Sequence, residues 1–253
     1  MSSTNIDIII PNFNKGPFIE ECIESVLNQS YTSWTLYVID DFSSDNSREI
    51  LKKYKNLNNI NIILLKKNKG PSFCRNLGIR ISSSNYLSFL DSDDIWHKDK
   101  LKNQLSFMKN NKYDFTFSDY ISFRTKNNKY IKNKKTNLKN KFNYKEFVKN
   151  SSINSSTMIL TRKIISTKKF KKLKLLEDYL FKCDILKKNI IAFKINESLA
   201  FYRILPSNRS SNKMMNLYWL WKINNNFNKL NILENLISIL GITINSLKKY
   251  GVK

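Results

Sequence analysis

Three carboxylates fall within four residues at Asp91-Ser92-Asp93-Asp94, directly after the apolar run Tyr86 to Leu90. If that run is a buried strand, a tight turn gathers the acidic side chains at its end, where they repel one another. A divalent cation relieves the repulsion: magnesium or manganese binds one or two carboxylates and keeps coordination positions open for diphosphate oxygens. Asp93 and Asp91 are therefore the candidate metal ligands, with Mn2+ or Mg2+ as the ion. The same aspartates, Asp94 above all, would also suit the cap of a helix starting near Ile95. A second acidic pair, Glu177-Asp178, opens another helical pattern, where carboxylates complement the helix dipole.

The elements that must position these groups repeat one unit over the first hundred residues: apolar strand, polar turn, amphipathic helix. Ile6 to Ile10 is a nearly continuous apolar run, as in a strand covered on both faces. The next helix has Pro17 in its first turn, with Phe18, Ile19, Cys22, Ile23, Val26 and Leu27 on one face and Glu20, Glu21 and Glu24 on the other. Trp34 to Ile39 reads as a second strand, and Ser44 or Asp45 as the cap of a helix running to Tyr54. Ile60 to Leu65 follows as a third strand, Gly70-Pro71 as the opening of a third helix, and Ile95 to Met108 as a fourth. Alternating strands and helices predict an α/β fold with a doubly wound, mostly parallel sheet flanked by helices. Ligands of such sheets bind beyond the carboxyl ends of the strands. Each predicted strand ends in a polar group there: Asn12 and Asn14, Asp40 and Asp41, Lys69 and Gly70, then Asp91, Asp93 and Asp94.

Beyond Ser118 the alternation loosens. Arg124 to Glu146 carries nine basic residues and one acidic, and predicts an exposed hairpin or loop; Arg162 to Lys174 carries seven basic and none acidic. Ser151 to Leu160, apolar at Met158, Ile159 and Leu160, rejoins the core as a strand, and Leu175-Leu176-Glu177-Asp178 begins a helix through about Lys187. Trp219 and Trp221 precede an apolar stripe at helical spacing from Leu233 to Leu247, suited to packing on the domain or to a membrane surface. It is too interrupted to span a bilayer. The net charge of +24 calls for an anionic partner such as nucleic acid, acidic lipid headgroups or phosphorylated substrates, or reflects a lysine-rich composition. Cys22, Cys74 and Cys183 are odd in number and widely spaced, which supports neither a disulfide framework nor a zinc site. Met1 to Asn5 lacks the pattern of a secretory signal, so the expected location is cytoplasmic, with any membrane contact peripheral, on the inner face.

Five segments occur in the order and spacing of glycosyltransferase family 2: Ile8-Ile9-Ile10-Pro11-Asn12-Phe13-Asn14, Ser25 to Tyr31, Ile39-Asp40-Asp41-Phe42-Ser43-Ser44-Asp45, Gly70 through Arg75-Asn76-Leu77-Gly78, and Phe89 to Trp96. The chain resembles that family densely over residues 5 to 110 and thinly beyond. The resemblance implies an inverting enzyme of the Rossmann-like GT-A fold with a nucleotide-sugar donor. Pro11, Asn12, Phe13, Asn14, Asp40, Asp41, Lys69, Gly70, Arg75, Asp91, Ser92, Asp93 and Arg203 would line the donor site. Within it Phe13 resembles the aromatic stacked on the base, Asp41 the acceptor from a pyrimidine imide, Asp40 a support of that loop or of the ribose, and Arg75 the cation facing the diphosphate. Asp178 resembles the general base that deprotonates the acceptor hydroxyl, with Glu177 orienting it. Two positions depart from the family pattern. Phe42 stands where many relatives have glycine, and Tyr202-Arg203-Ile204-Leu205 lacks a histidine usual shortly after the arginine. Ser210 and Ser211 belong to a loop able to close over the donor.

These readings divide the chain into a GT-A domain at 1–212 and a helical C-terminal extension at 213–253. Within the domain, 1–110 is the nucleotide-sugar-binding half and 111–212 the acceptor half. The partners implied are a nucleotide-sugar donor, a glycan or lipid-linked acceptor and an anionic inner-leaflet surface. A basic nucleic-acid-binding protein is the rival reading, but no helix-turn-helix, zinc or RNA-recognition signature accompanies the lysine runs. A sugar nucleotidyltransferase should carry a glycine-rich phosphate loop after the first strand, and Pro11 to Gly16 is not one. A noncatalytic donor-binding relative would share every motif above.

Overall fold

The computed structural model describes residues 5–126, 129–165, 169–205 and 212–250. Residues 1–4, parts of both basic runs (127–128 and 166–168) and the predicted closing loop with Ser210 and Ser211 lie outside the described residues.

The chain opens with β1 (Ile6–Asn12), α1 (Gly16–Leu27), β2 (Trp34–Asp40), α2 (Ser47–Lys52), β3 (Ile60–Leu64), α3 (Pro71–Ile81) and β4 (Tyr86–Phe89). There follow β5 (Ile95–Trp96), α4 (Lys100–Asn110), β6 (Phe115–Lys126), β7 (Lys129–Lys135), β8 (Lys141–Phe142) and α5 (Tyr144–Phe147). A 3-10 turn at Ser155–Thr157 leads into β9 (Ile159–Thr161), α6 (Arg162–Ile165), α7 (Glu177–Leu186) and β10 (Ala192–Arg203). The C-terminal part is α8 (Lys213–Ile223), a π-helical turn at Asn224–Asn228, and α9 (Ile232–Tyr250).

All the strands join one sheet whose main path runs β3-β2-β1-β4-β9-β6-β10-β5, with β7 on β6 and β8 on β10. From β3 to β4 the pairing is parallel, as the strand-helix alternation predicts. Beyond β4 it turns mixed, because the three-residue β9 runs antiparallel to both β4 and β6. Ile6, Ile8, Ile9 and Ile10 are all fully buried, so β1 is covered on both faces. Register sets Asn12 level with Asp40, and Asp40 with Leu64. The loops after β1, β2 and β3 therefore leave the sheet along one edge.

Helix α3 lies close on β1: a Cβ at Gly78 would sit 2.6 Å from a side-chain carbon of Ile9. Gly78→Ala is expected to cost about 1–3 kcal/mol through overpacking, read as a lower urea midpoint at unchanged slope. A gain in stability would mean that the helix can lift off the strand freely.

Two local expectations are corrected. Ile95 and Trp96 do not start a helix; they form β5, pairing with Phe201 and Ala200 of β10, and α4 begins only at Lys100. The Trp96 indole is buried and donates to the Ser156 carbonyl at 2.7 Å, a tertiary contact that overrides the helical spacing. Helix α2 ends at Lys52, and Asp45 bridges two helix starts instead of capping one, accepting from the backbone N–H of Gly16 at 2.8 Å and of Ser47 at 3.0 Å.

Candidate active site

The loops after β1 and β2 are stitched together by side chains. Asn12, buried, donates to Asp40 at 2.9 Å; the Asn14 backbone donates to the Ser43 hydroxyl at 2.9 Å, and the Asn14 side chain accepts from Ser44 N–H at 2.8 Å. Asp40 is fully buried and also takes Arg48 at 2.6 Å and Ser43 N–H at 3.1 Å. It holds the loop and is closed off from any ribose. Pro11 continues β1 opposite Ile39. Phe13 and Phe42, by contrast, are about half exposed. Phe42 has φ 67°, so the chain keeps here the left-handed conformation that glycine adopts most readily.

Asp41 is bound to the chain through both oxygens. Its carboxylate is 3% exposed and accepts the backbone N–H groups of Lys69 and Gly70, each at 2.7 Å. Each oxygen takes one backbone N–H, so Asp41 shapes the third loop. That loop needs the support, because Gly70 sits at φ 86° immediately before Pro71 opens α3.

Arg75 is also engaged within the chain. It does not face the cleft as a free cation but is buried, with Nη2 2.7 Å from Asp91 and Nη1 3.2 Å from Glu177. Burial alone would weaken its hold on the proton; Asp91, then Glu177 and Asp178, more than offset that and keep it charged. One guanidinium thus ties the acidic rim after β4 to the start of α7, which carries Asp178. Arg203 likewise ends in internal contacts. Buried, it pairs with Glu21 at 2.5 Å, donates to the Asp93 carbonyl at 2.9 Å and lies over the rings of Phe18 and Phe123. Asp94, expected as a helix cap, accepts from Arg203 N–H and from the Ser156 hydroxyl. With α4 starting six residues later, there is no helix end for it to cap.

The acidic rim itself holds Asp91, Ser92 and Asp93, with Ser92 buried. Asp93 sits 2.7 Å from Lys15 Nζ. Burial pushes the Asp93 carboxyl up, Lys15 pulls it back and Asp91 adds to the rise; Asp94 is pushed well up by burial and by both neighbours. Crowded carboxyls of this kind favour an added cation. Among the described residues no three acidic, histidine or cysteine side chains form a complete cage. Each of the two rim carboxylates already holds a cationic side chain, Asp91 the guanidinium of Arg75 and Asp93 the ammonium of Lys15.

At the head of α7, Asp178 is about one-third exposed and its Oδ2 lies 2.7 Å from the buried Lys182 and 3.4 Å from the Ser155 hydroxyl. Burial would raise its carboxyl, but Lys182, and then Arg75, draw it down to about 2. Lys182 stands four residues after Asp178 on one helix face, so this partner was visible in the spacing. Lys15 and Glu21 carried no such signal.

This acidic rim, joined through one arginine to a carboxylate at the start of α7, lies at the carboxyl ends of the parallel strands, where α/β sheets bind their ligands. Residues 7–173 match glycosyl transferase family 2, and the chain belongs to that family of glycosyltransferases. It is 32% identical over 247 residues, 97% of this chain and 95% of the relative, to WfgD of Escherichia coli, a UDP-Glc:alpha-D-GlcNAc-diphosphoundecaprenol beta-1,3-glucosyltransferase. The fold is shared with S. aureus TarS 1-349 in complex with UDP-GlcNAc (TM-score 0.71, 18% identity, 97% of this chain and 73% of that one); the chain spans 44% of the longer TarS chain. It is shared also with the mannosyltransferase PcManGT of Pyrobaculum calidifontis in complex with GDP-Man and Mn2+ (TM-score 0.69, 11% identity, 98% and 76%).

Proposed function

We propose that this glycosyltransferase moves a sugar, with inversion, from a uridine diphosphate donor to a hydroxyl of a glycan carried on a lipid diphosphate, in the synthesis of a bacterial surface glycan. The observation that supports it is Arg75, which pairs with Asp91 of the acidic rim and with Glu177, the neighbour of Asp178, and so ties the two acidic segments together. The name of WfgD, with its UDP-glucose donor and diphosphoundecaprenol-linked acceptor, supports both substrate classes. The UDP-GlcNAc and manganese complexes of the structural neighbours are in keeping with a nucleotide-sugar and a divalent ion. Residues 1–110 serve as the donor half, 111–212 as the acceptor half and 213–253 as an extension.

Asp93 and Asp91 would hold Mn2+ or Mg2+, which when bound neutralises charge gathering on the departing nucleoside diphosphate. The exposed ring of Phe13 stacks on the base, and Lys15, 2.7 Å from Asp93, supplies a side-chain cation beside the rim. Asp178 accepts the proton of the acceptor hydroxyl as its oxygen bonds to the anomeric carbon. The bond from that carbon to the phosphate oxygen breaks on the opposite face, which inverts the centre. Lys182 fixes the Asp178 side chain for this work.

A panel of nucleotide sugars with and without manganese tests the donor. At a hundred times Kd a ligand adds about 2.7 kcal/mol, so a UDP-sugar with manganese should raise Tm by roughly 5–10 °C in a chain of this size. Asp93→Asn should lose the manganese-dependent part. Equal shifts from guanosine donors would remove the uridine assignment.

A further inference from the structure

Helix α9 is packed inside out. Its two fully buried positions are polar, Asn235 and Ser238, with Ile239 and Ile242 partly buried beside them. Ser238 donates to the Val148 carbonyl at 2.6 Å, and Gly241 lies so near the Lys149 carbonyl that a Cβ would come within 2.4 Å of it. The outward face carries Leu233, Leu236, Ile237, Leu240, Ile244 and Leu247, each 40–67% exposed. At about 100° per residue these six fall within roughly 100° of arc, opposite Asn235 and Ser238. A helix that served only to cover its own domain would turn this stripe inward.

We propose that the outward face of α9 seats the enzyme in the headgroup layer of an anionic lipid bilayer. Apolar stripes of this width bind in the plane of a bilayer when basic residues flank them. Residues 213–250 hold five lysines against the single acidic Glu234, Lys222 and Lys229 are exposed, and so is Lys248, next to Leu247 at the end of the stripe. Tyr218 and Trp221 of α8, both partly exposed, add the amphipathic rings that settle at headgroup depth. Charge decides against the other natural occupant. A second copy would bring a net +24 against +24, whereas anionic headgroups attract the same charge. No helix among the described residues can cross the membrane, so the seat is superficial.

The placement bears on catalysis through a short chain of hydrogen bonds. Asn224 donates to Asn235 at 3.1 Å and to Ser238 at 2.8 Å, and accepts from the Tyr179 hydroxyl at 2.8 Å. Tyr179 is the neighbour of Asp178. An α9 lying on lipid would thus hold the candidate base at a set height above the surface that carries a lipid-linked acceptor. In this last respect the proposal rests on the acceptor class proposed above; the seat itself rests on α9 alone.

Flotation of the full chain with vesicles tests it. With 30% phosphatidylglycerol in phosphatidylcholine, binding should be at least tenfold tighter than to phosphatidylcholine alone and should weaken with salt. The double variant Leu236→Glu, Leu240→Glu changes only exposed positions. It should lose binding at least tenfold while its Tm and its nucleotide-sugar shift stay unchanged. Absence of flotation by the wild type, or equal flotation by the variant, overturns the proposal. So does light scattering that finds a wild-type dimer reduced to monomer in the variant, which would assign the face to a second copy. Neither donor nor acceptor enters the flotation, so its failure leaves the transfer reaction untouched, and failure of the lipid-linked acceptor leaves the flotation result standing.

Discussion

Asp178→Asn is expected to lower kcat by about 10²–10⁴-fold, the usual contribution of a positioned general base, with donor binding unchanged. Asparagine keeps the size of the side chain and an oxygen for Lys182 to donate to, but it cannot take a proton. Single-turnover transfer separates the steps: the nucleotide-sugar shift in Tm should match wild type while product formation collapses. Undiminished turnover would remove Asp178 from the role. Its ionisation also sets a stability window. The carboxyl falls from an ordinary value near ~4 to about 2 in the folded chain. The unfolded state therefore binds the proton more readily. The stabilisation is fully present above about pH 4 and drains away as pH falls toward 2. An acidic limb in the rate profile nearer neutrality would belong to another group.

The second large effect is on folding. Arg75→Met should cost about 3–5 kcal/mol, because it strands two carboxylates that now share one buried guanidinium. In a chain of this length that is a fall of roughly 6–20 °C in Tm. Arg75→Lys should recover only part of it, since an ammonium is a point charge and cannot reach two partners with the planar fork of arginine. Calorimetry with and without manganese would separate the outcomes. A loss below 1 kcal/mol in the absence of metal would mean that Asp91 and Glu177 are separately solvated and that the bridge does not hold the two halves together.

The strands β1 to β4 were legible because each is a short run of apolar residues closed by a polar group, a pattern that depends only on neighbours in the chain. Position at the strand ends followed from that alone. The roles of Asp41, Arg75 and Arg203 were not legible, because a charged side chain near a cleft looks the same in sequence whether it faces ligand or a counter-charge. Glu21 meets Arg203 across 182 positions, and Asp41 meets Gly70 only after β3 has been laid beside β2. β5 was hidden for a related reason: two residues on a distant strand carry no period of their own, and the helical spacing beyond them ran on unbroken. Asp178 was singled out by resemblance alone, whereas its lysine partner could have been read from a separation of four.

The joint between the body and α9 is made by Tyr179, Asn224, Asn235 and Ser238, a set of buried polar groups bonded to one another. Directional bonds accept one angular setting where grease would accept many. The extension is therefore keyed to this body and not interchangeable. Grafting the segment from a relative should succeed only when those four side chains travel as a set, and a graft lacking one of them would leave an orphaned donor or acceptor at the hinge line.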